Sequence, residues 1–210
     1  ARQLYDLTGL LESPKGAGLL MSTADLLIEM GGGKVEKADL AGALKDYEEA
    51  LLLFERTGNS ETLKGADLLS GIGNIKAHRD NPAGAMEDYL EARRVYELTC
   101  QLETEKGADL LMSMGDIKAR NSDLEGALQD YEEARRIYEE TETLESTQGI
   151  ALLMSSGSIK LQQAHLEGAL EDYQDAHRLY QQLCMSETPQ CADLLKGIGG
   201  IKVRKADLLK

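Results

Sequence analysis

The chain has no Trp, one Phe, and three residues each of Pro, Cys and His among its 210. So few His and Cys, without clustering, leave little from which to build a zinc site. An odd set of cysteines, Cys100, Cys184 and Cys191, does not make a disulfide framework. They read as free thiols of a reducing, cytoplasmic setting; Cys184 and Cys191 flank a turn, and their pairing under oxidation is the alternative. Basic residues are also scarce. Lys and Arg total 23 against 37 Asp and Glu, a net charge of −14. That excess speaks against nucleic acid, whose binding needs cations on phosphates, and against an anionic membrane surface. It allows a protein or peptide partner with basic character, or serves only to keep the chain in solution. No apolar run approaches the ~18 residues of a membrane span, and Ala1-Arg2-Gln3-Leu4-Tyr5 lacks the apolar stretch of a signal peptide.

What the chain does contain is itself, repeated. Shifted by 42 residues, it aligns from near its start to its end. Gly65-Ala-Asp-Leu-Leu returns at Gly107, and related strings open at Gly149 and Cys191. Asp-Tyr recurs at Asp46-Tyr47, Asp88-Tyr89, Asp130-Tyr131 and Asp172-Tyr173. Self-similarity of this kind marks a stacked-repeat architecture. A residue present in every unit serves the stacking, so a functional signal has to lie in what varies.

Each unit reads as two antiparallel helices joined by a tight turn. Thr104 is a good N-cap, and the same slot holds Thr62, Ser146 and Thr188. Leu110, Leu111, Met114 and Ile117 then follow at helical spacing, predicting a first helix of roughly 16 residues. Asn121-Ser122 breaks it. Ser122-Asp-Leu-Glu125 has the form of a capping box opening the second helix, a task that Asn81-Pro82 performs one unit earlier. The second helix carries Ala127, Leu128, Tyr131, Ala134, Ile137 and Tyr138 on one face. This predicts one repeat array over 1–210: a partial unit 1–11, full units at about 12–60, 61–102, 103–144 and 145–186, and a partial unit 187–210. The chain starts and stops inside a unit and lacks an initiating Met, as expected of a piece of a longer array. Ser13 and Gly31 stand seven residues further apart than Thr62 and Gly73. Close to two helical turns, that insertion keeps the apolar face in register; Gly31-Gly32-Gly33 either ends a lengthened helix or forms a loop.

Gly115, Ala127, Tyr131 and Ala134 have the small-small-aromatic-small spacing of the tetratricopeptide repeat (TPR), which this chain resembles over nearly its whole length. The other units supply Gly31, Ala43, Tyr47, Ala50; Gly73, Ala85, Tyr89, Ala92; and Gly157, Ala169, Tyr173, Ala176. The period exceeds the family's usual ~34 residues, so the resemblance is to a long-repeat form. Leu69, Leu111 and Leu153 stand where the family has Trp. Lys34, Lys76, Lys118, Lys160 and Lys202 replace its second aromatic, and its closing Pro is absent. The resemblance implies an all-α fold, a right-handed α-solenoid of stacked helix pairs whose first helices line a concave groove. It implies a non-enzymatic protein-interaction scaffold.

Nothing in the sequence converges for chemistry. The eight Tyr and one Phe fall into two repeat slots, Tyr47, Tyr89, Tyr131, Tyr173 and Tyr5, Phe54, Tyr96, Tyr138, Tyr180. None is left over to stack on a base or cofactor. His78, His165 and His177 occupy three different slots without a Ser or Cys partner or a second ligand at metal spacing. Gly31-Gly-Gly-Lys34 and Gly71-Ile-Gly73 follow no strand and lack the Ser or Thr of a phosphate loop. No catalytic residue, cofactor or metal is expected. The recurring Lys invites two readings: a ladder of ion pairs, Lys34–Asp46, Lys76–Asp88, Lys118–Asp130 and Lys160–Asp172, or a basic row for an acidic ligand.

If the resemblance carries over, the partner groove is lined by Asp67, Ser70, Asn74 and His78, then Asp109, Met112, Asp116 and Arg120, then Met154, Ser158 and Gln162. These slots vary from unit to unit. The Lys-and-Asn carboxylate clamp of chaperone-binding relatives would occupy Ser70/Asn74, Met112/Asp116, Met154/Ser158 and Lys196/Gly200, and is complete in none. An extended or helical segment of some basic character is the expected occupant. A head-to-tail stack of the array through its uncapped ends is the alternative, because Leu194, Leu195, Ile198 and Ile201 of the last first-helix are expected to be partly uncovered.

Overall fold

The computed structural model describes residues 15–16, 18–19, 37–56, 58 and 60–207. The partial unit 1–11, Gly31–Gly33 and Lys34 of the expected Lys34–Asp46 pair lie outside them. Among the described residues there is no strand. The helices are α1 (Lys37–Arg56), α2 (Leu63–His78), α3 (Pro82–Leu98), α4 (Glu105–Arg120), α5 (Leu124–Glu140), α6 (Thr147–Gln162), α7 (Leu166–Gln182) and α8 (Pro189–Asp207). First helices begin at Leu63, Glu105, Thr147 and Pro189, second helices at Pro82, Leu124 and Leu166, each a step of 42 after the last.

Chain contacts divide the molecule into two compact units, 1–102 and 103–210. In the first, α1 packs on α2 and α2 pairs with α3. In the second, α4 pairs with α5 and α6 with α7; α6 also rests on α5 and α4, and α8 rests on α7. The pairs are antiparallel: Tyr89 of α3 meets Asn74 of α2, while Tyr96, further along α3, reaches back to Asp67.

Local chemistry sets the ends of these helices. Thr62, Thr104 and Ser146 accept from the N–H groups of Gly65, Gly107 and Gly149, and Thr188 accepts from Cys191, satisfying donors that no helical carbonyl can reach. Asn81 caps α3 through Gly84 N–H. The expected capping box at Ser122 is displaced by one residue. Asp123 is the cap, accepting from Gly126 N–H, because Ser122 is taken up in closing α4. It sits at φ 65°, so that Asp123 N–H reaches Lys118 O and Ser122 N–H reaches Ala119 O, the Schellman arrangement. The same left-handed slot is filled by Asp80 and Ala164 after α2 and α6, and its counterpart after the second helices by Cys100, Glu142 and Cys184. None of these six is glycine; after α1 the same slot holds Gly58 at φ 69°.

The core follows the small-and-aromatic pattern. Ala85, Tyr89, Ala92 and Tyr96 are buried in the first unit, with Ala43, Tyr47, Ala50 and Phe54 of α1; Ala127, Tyr131, Ala134 and Tyr138 are buried in the second. The Lys row is a ladder: Lys76–Asp88, Lys118–Asp130 and Lys160–Asp172 each close at 2.7 Å. Asp172 is buried and also accepts from Ser156 Oγ at 2.7 Å and pairs with Arg135 at 3.3 Å.

One expectation about α8 is corrected. Leu194, Ile198 and Ile201 are buried, because α8 lays that stripe against α7; only Leu195 of the four is exposed.

Candidate partner groove

The eleven residues expected to line the groove all lie on first helices. Asp67, Ser70, Asn74 and His78 form one stripe of α2 in the first unit. In the second unit α4 carries Asp109, Met112, Asp116 and Arg120, and the neighbouring α6 carries Met154, Ser158 and Gln162, so these seven lie on helices in contact. His78, Arg120 and Gln162, at the C-terminal ends of their helices, are exposed; Ser70 and Met112 are half-buried.

Six of the eleven have work inside the fold. Tyr96 donates its hydroxyl to Asp67 Oδ1 at 2.7 Å, and Tyr89 donates to Asn74 Oδ1 at 2.7 Å. Tyr138 donates to Asp109 and Tyr131 to Asp116 Oδ1, the latter at 2.6 Å. Ser158 hydrogen-bonds Tyr173. Tyr180 shows why these slots matter: where Asp67 and Asp109 recur, the next unit has Ala151, and the Tyr180 hydroxyl turns to Met154 Sδ at 3.5 Å. A phenol whose ring is buried needs a partner for its O–H, and the ring is long enough to deliver that group to the first helix of its own pair. Spacing could have revealed the pairing, since the acceptor stands 15 residues before Tyr89 and Tyr131 and 29 before Tyr96 and Tyr138; reading the aromatics only as core concealed it.

The electrostatics follow. Burial raises the Asp109 carboxyl above its ordinary range, more than the Tyr138 hydroxyl lowers it, and nearby Glu105 pushes the same way. Burial likewise raises Asp88 against the pull of Lys76. Desolvation and the acceptor Asp109 together push the Tyr138 phenol far up.

The helical pairs, the tyrosine bonds between them and the unit-by-unit register can be set beside solved structures. No family model matches the chain, and no curated protein matches it in sequence. Structures do. BtubC (BKLC) from P. vanneervenii superposes with a TM-score of 0.63 at 12% identity, covering 94% of this chain and 85% of that one. The nearly identical TPR-like repeats of a proposed kinesin light chain from Podosopora anserina give 0.67 at 13% identity, over 92% and 98% of the two chains. A Gln-to-Met point variant of the same repeats gives 0.68 at 13%, over 91% and 98%.

The fold is TPR-like.

Among the described residues no three His, Cys, Asp or Glu are grouped to hold a metal, and no helix is long and apolar enough to cross a membrane. One detail departs from the sequence reading. His177 does have a Cys neighbour, Cys191 Sγ at 3.7 Å from Nδ1. That thiol is fully buried between α7 and α8, and the other ring nitrogen meets Gln181 at 3.1 Å, so the contact packs two helices together. Cys100 and Cys184 are exposed, and all three thiols are free.

Proposed function

We propose that this chain is a protein-interaction scaffold without enzymatic activity, reading 1–210 as one repeat array, and that a partner segment lies along the first helices. The carrying observation is the contrast on α4 and α6. The repeat's shared Ala positions are buried, while Met112, Arg120 and Gln162, on two helices in contact, stand at slots that vary between units and keep surface open. Asp109 and Asp116 add acceptor charge at the same stripe, and with the net charge of −14 they favour a segment of basic character. Exposed free thiols at Cys100 and Cys184 agree with a reducing, cytoplasmic setting.

The tyrosine bonds decide how this is tested. Substituting Asp109 or Asp116 changes the bonds of the core tyrosines, and with them the stability of the fold, whereas Met112, Arg120 and Gln162 hold no core tyrosine. Peptides selected from a displayed library on the unsubstituted chain would be titrated against the Met112→Ala/Arg120→Ala/Gln162→Ala variant. The reading expects at least about tenfold weaker binding, equal to about 1.4 kcal/mol, with unchanged melting. Selected peptides that bind both forms equally would contradict it.

A further inference from the structure

Helix α3 carries an apolar ridge on its outer side. Met86, Leu90, Arg94 and Leu98 follow one another at a spacing of one helical turn, so they form a single line along the helix. Leu90 and Leu98 are 53% and 61% exposed, and Met86 is half-buried. The Arg94 guanidinium is drawn aside, donating to Glu91 at 2.6 Å and to Glu61 at 3.0 Å; its aliphatic stem continues the ridge. A single exposed Leu is ordinary, but these two stand in informative slots. The slot of Leu90 is exposed in every described second helix, and the others fill it with Glu48, Glu132 and Gln174. The slot of Leu98 holds Glu140 in α5 and Gln182 in α7, both exposed. The exposure is thus a property of the repeat, and the apolar filling is peculiar to α3. Helix α1 adds Leu52, 58% exposed where α3, α5 and α7 have Arg94, Arg136 and Arg178. The Asp88 carboxyl of α3 is raised by burial and also by Glu48 of α1, which sets Leu52, one turn past Glu48, towards the same side.

Acid borders the ridge. Glu87 and Glu91 lie along one edge and Glu97 along the other, all exposed. We propose that this ridge docks a basic amphipathic helix of a partner protein. The partner's apolar stripe lies along Met86, Leu90 and Leu98, ridge into groove, and its Lys or Arg side chains meet Glu87, Glu91 and Glu97. Charge complementarity selects that occupant over a second copy of this chain, because two such ridges face to face bring acid against acid. The ridge belongs to a second helix, so the proposal does not rest on the groove of the first helices.

The test uses the 210-residue chain and a labelled, end-capped peptide of about 18 residues, long enough to hold a helix. The peptide has Leu and Ala on one helical face and Lys along both edges of it, and binding is followed by fluorescence anisotropy. Saturable one-to-one binding is expected. Leu90→Glu/Leu98→Glu installs the residues that α5 has in these slots, Glu132 and Glu140, so circular-dichroism melting stays that of the parent. It weakens the peptide at least about tenfold, although it adds acid that would strengthen attraction by charge alone. Leu90→Gln/Leu98→Gln, the residues of α7, weakens it too without changing the charge. The Met112→Ala/Arg120→Ala/Gln162→Ala variant binds the peptide as the parent does. Two control peptides, one of scrambled order and one with Glu for Lys, bind at least about tenfold more weakly. Absence of binding overturns the proposal, as does binding that the leucine substitutions leave unchanged or strengthen. A dimer of the chain alone that Leu90→Glu/Leu98→Glu dissociates in sedimentation makes the occupant a second copy and also overturns it.

Discussion

Tyr131 and Gly115 share one space. The ring's Cε1 stands 2.5 Å from where a Cβ on Gly115 would be, while the hydroxyl, held by Asp116 at 2.6 Å, prevents the ring from sliding away. Ser155 of the next first helix touches the same hydroxyl. Glycine on the first helix and tyrosine on the second thus act as one element of the repeat, binding α4 to α5 and, through Ser155, α5 to α6.

Six of the described turns use a left-handed residue that is not glycine, while the turn after α1 uses Gly58. At φ 60°, Ala164 crowds its Cβ against the backbone, a strain of about 1–2 kcal/mol for an L-residue. Ala164→Gly relieves it without touching the Schellman bonds, from His165 N–H to Lys160 O and from Ala164 N–H to Leu161 O. Denaturant unfolding should show a gain of about 1 kcal/mol, and a loss would mean that the turn is not closed in this way.

Lys118 and Asp130 are unequal partners, with the Asp side chain only 5% exposed and the Lys 26%. Removing the cation strands a buried carboxylate, which by the measure of buried pairs costs about 3 kcal/mol. Lys118→Met and Asp130→Asn, alone and together, should show coupling above about 1 kcal/mol in a double-mutant cycle. Additive losses would remove the ladder from the account of stability.

Asp109 gives the pH dependence. Its folded pKa lies above the ordinary 3.8 because burial outweighs the Tyr138 bond. The folded state therefore holds that proton more tightly, and this group's contribution to stability improves as pH falls through its folded pKa towards 3.8. At pH 7 the ionised carboxylate carries its burial cost in full. Asn can still accept the Tyr138 hydroxyl, as Asn74 accepts Tyr89 at 2.7 Å. Asp109→Asn should raise the Tm at neutral pH, with the gain shrinking on acidification and absent below about pH 3.8. A gain that grows with acid would reverse the assignment.

The helices and their register were readable because each unit repeats the same local choices: a Thr or Ser cap, apolar residues at helical spacing, Gly and Ala opposite Tyr. The Lys–Asp rungs were readable for the same reason, since a pair that recurs at constant spacing has a structural explanation before any other. Three things were not. Ser122 looked like a cap because the sequence does not display φ, and the turn's need for a left-handed residue moved the cap to Asp123. Leu194, Ile198 and Ile201 looked uncovered because α8 was weighed against a missing partner on one side, while α7 already covered the other. Asp67, Asn74, Asp109 and Asp116 looked like free groove residues because variation between units was taken as a sign of binding. Tyrosine hydroxyls accept Asn or Asp equally well as a partner, so the slot varies within a structural role.

The central claim is that the repeat's glycine exists to admit the tyrosine of a covering helix. Gly115 and Gly199 occupy the same slot, one under a ring and the other open, so Gly115→Ala and Gly199→Ala form a matched pair read by thermal and denaturant unfolding. The account predicts opposite signs: a loss of about 1–3 kcal/mol at Gly115 from overpacking against Tyr131, and a gain of about 0.5–1 kcal/mol at Gly199 from helix propensity alone. Equal effects at the two positions, or a gain at Gly115, would contradict it.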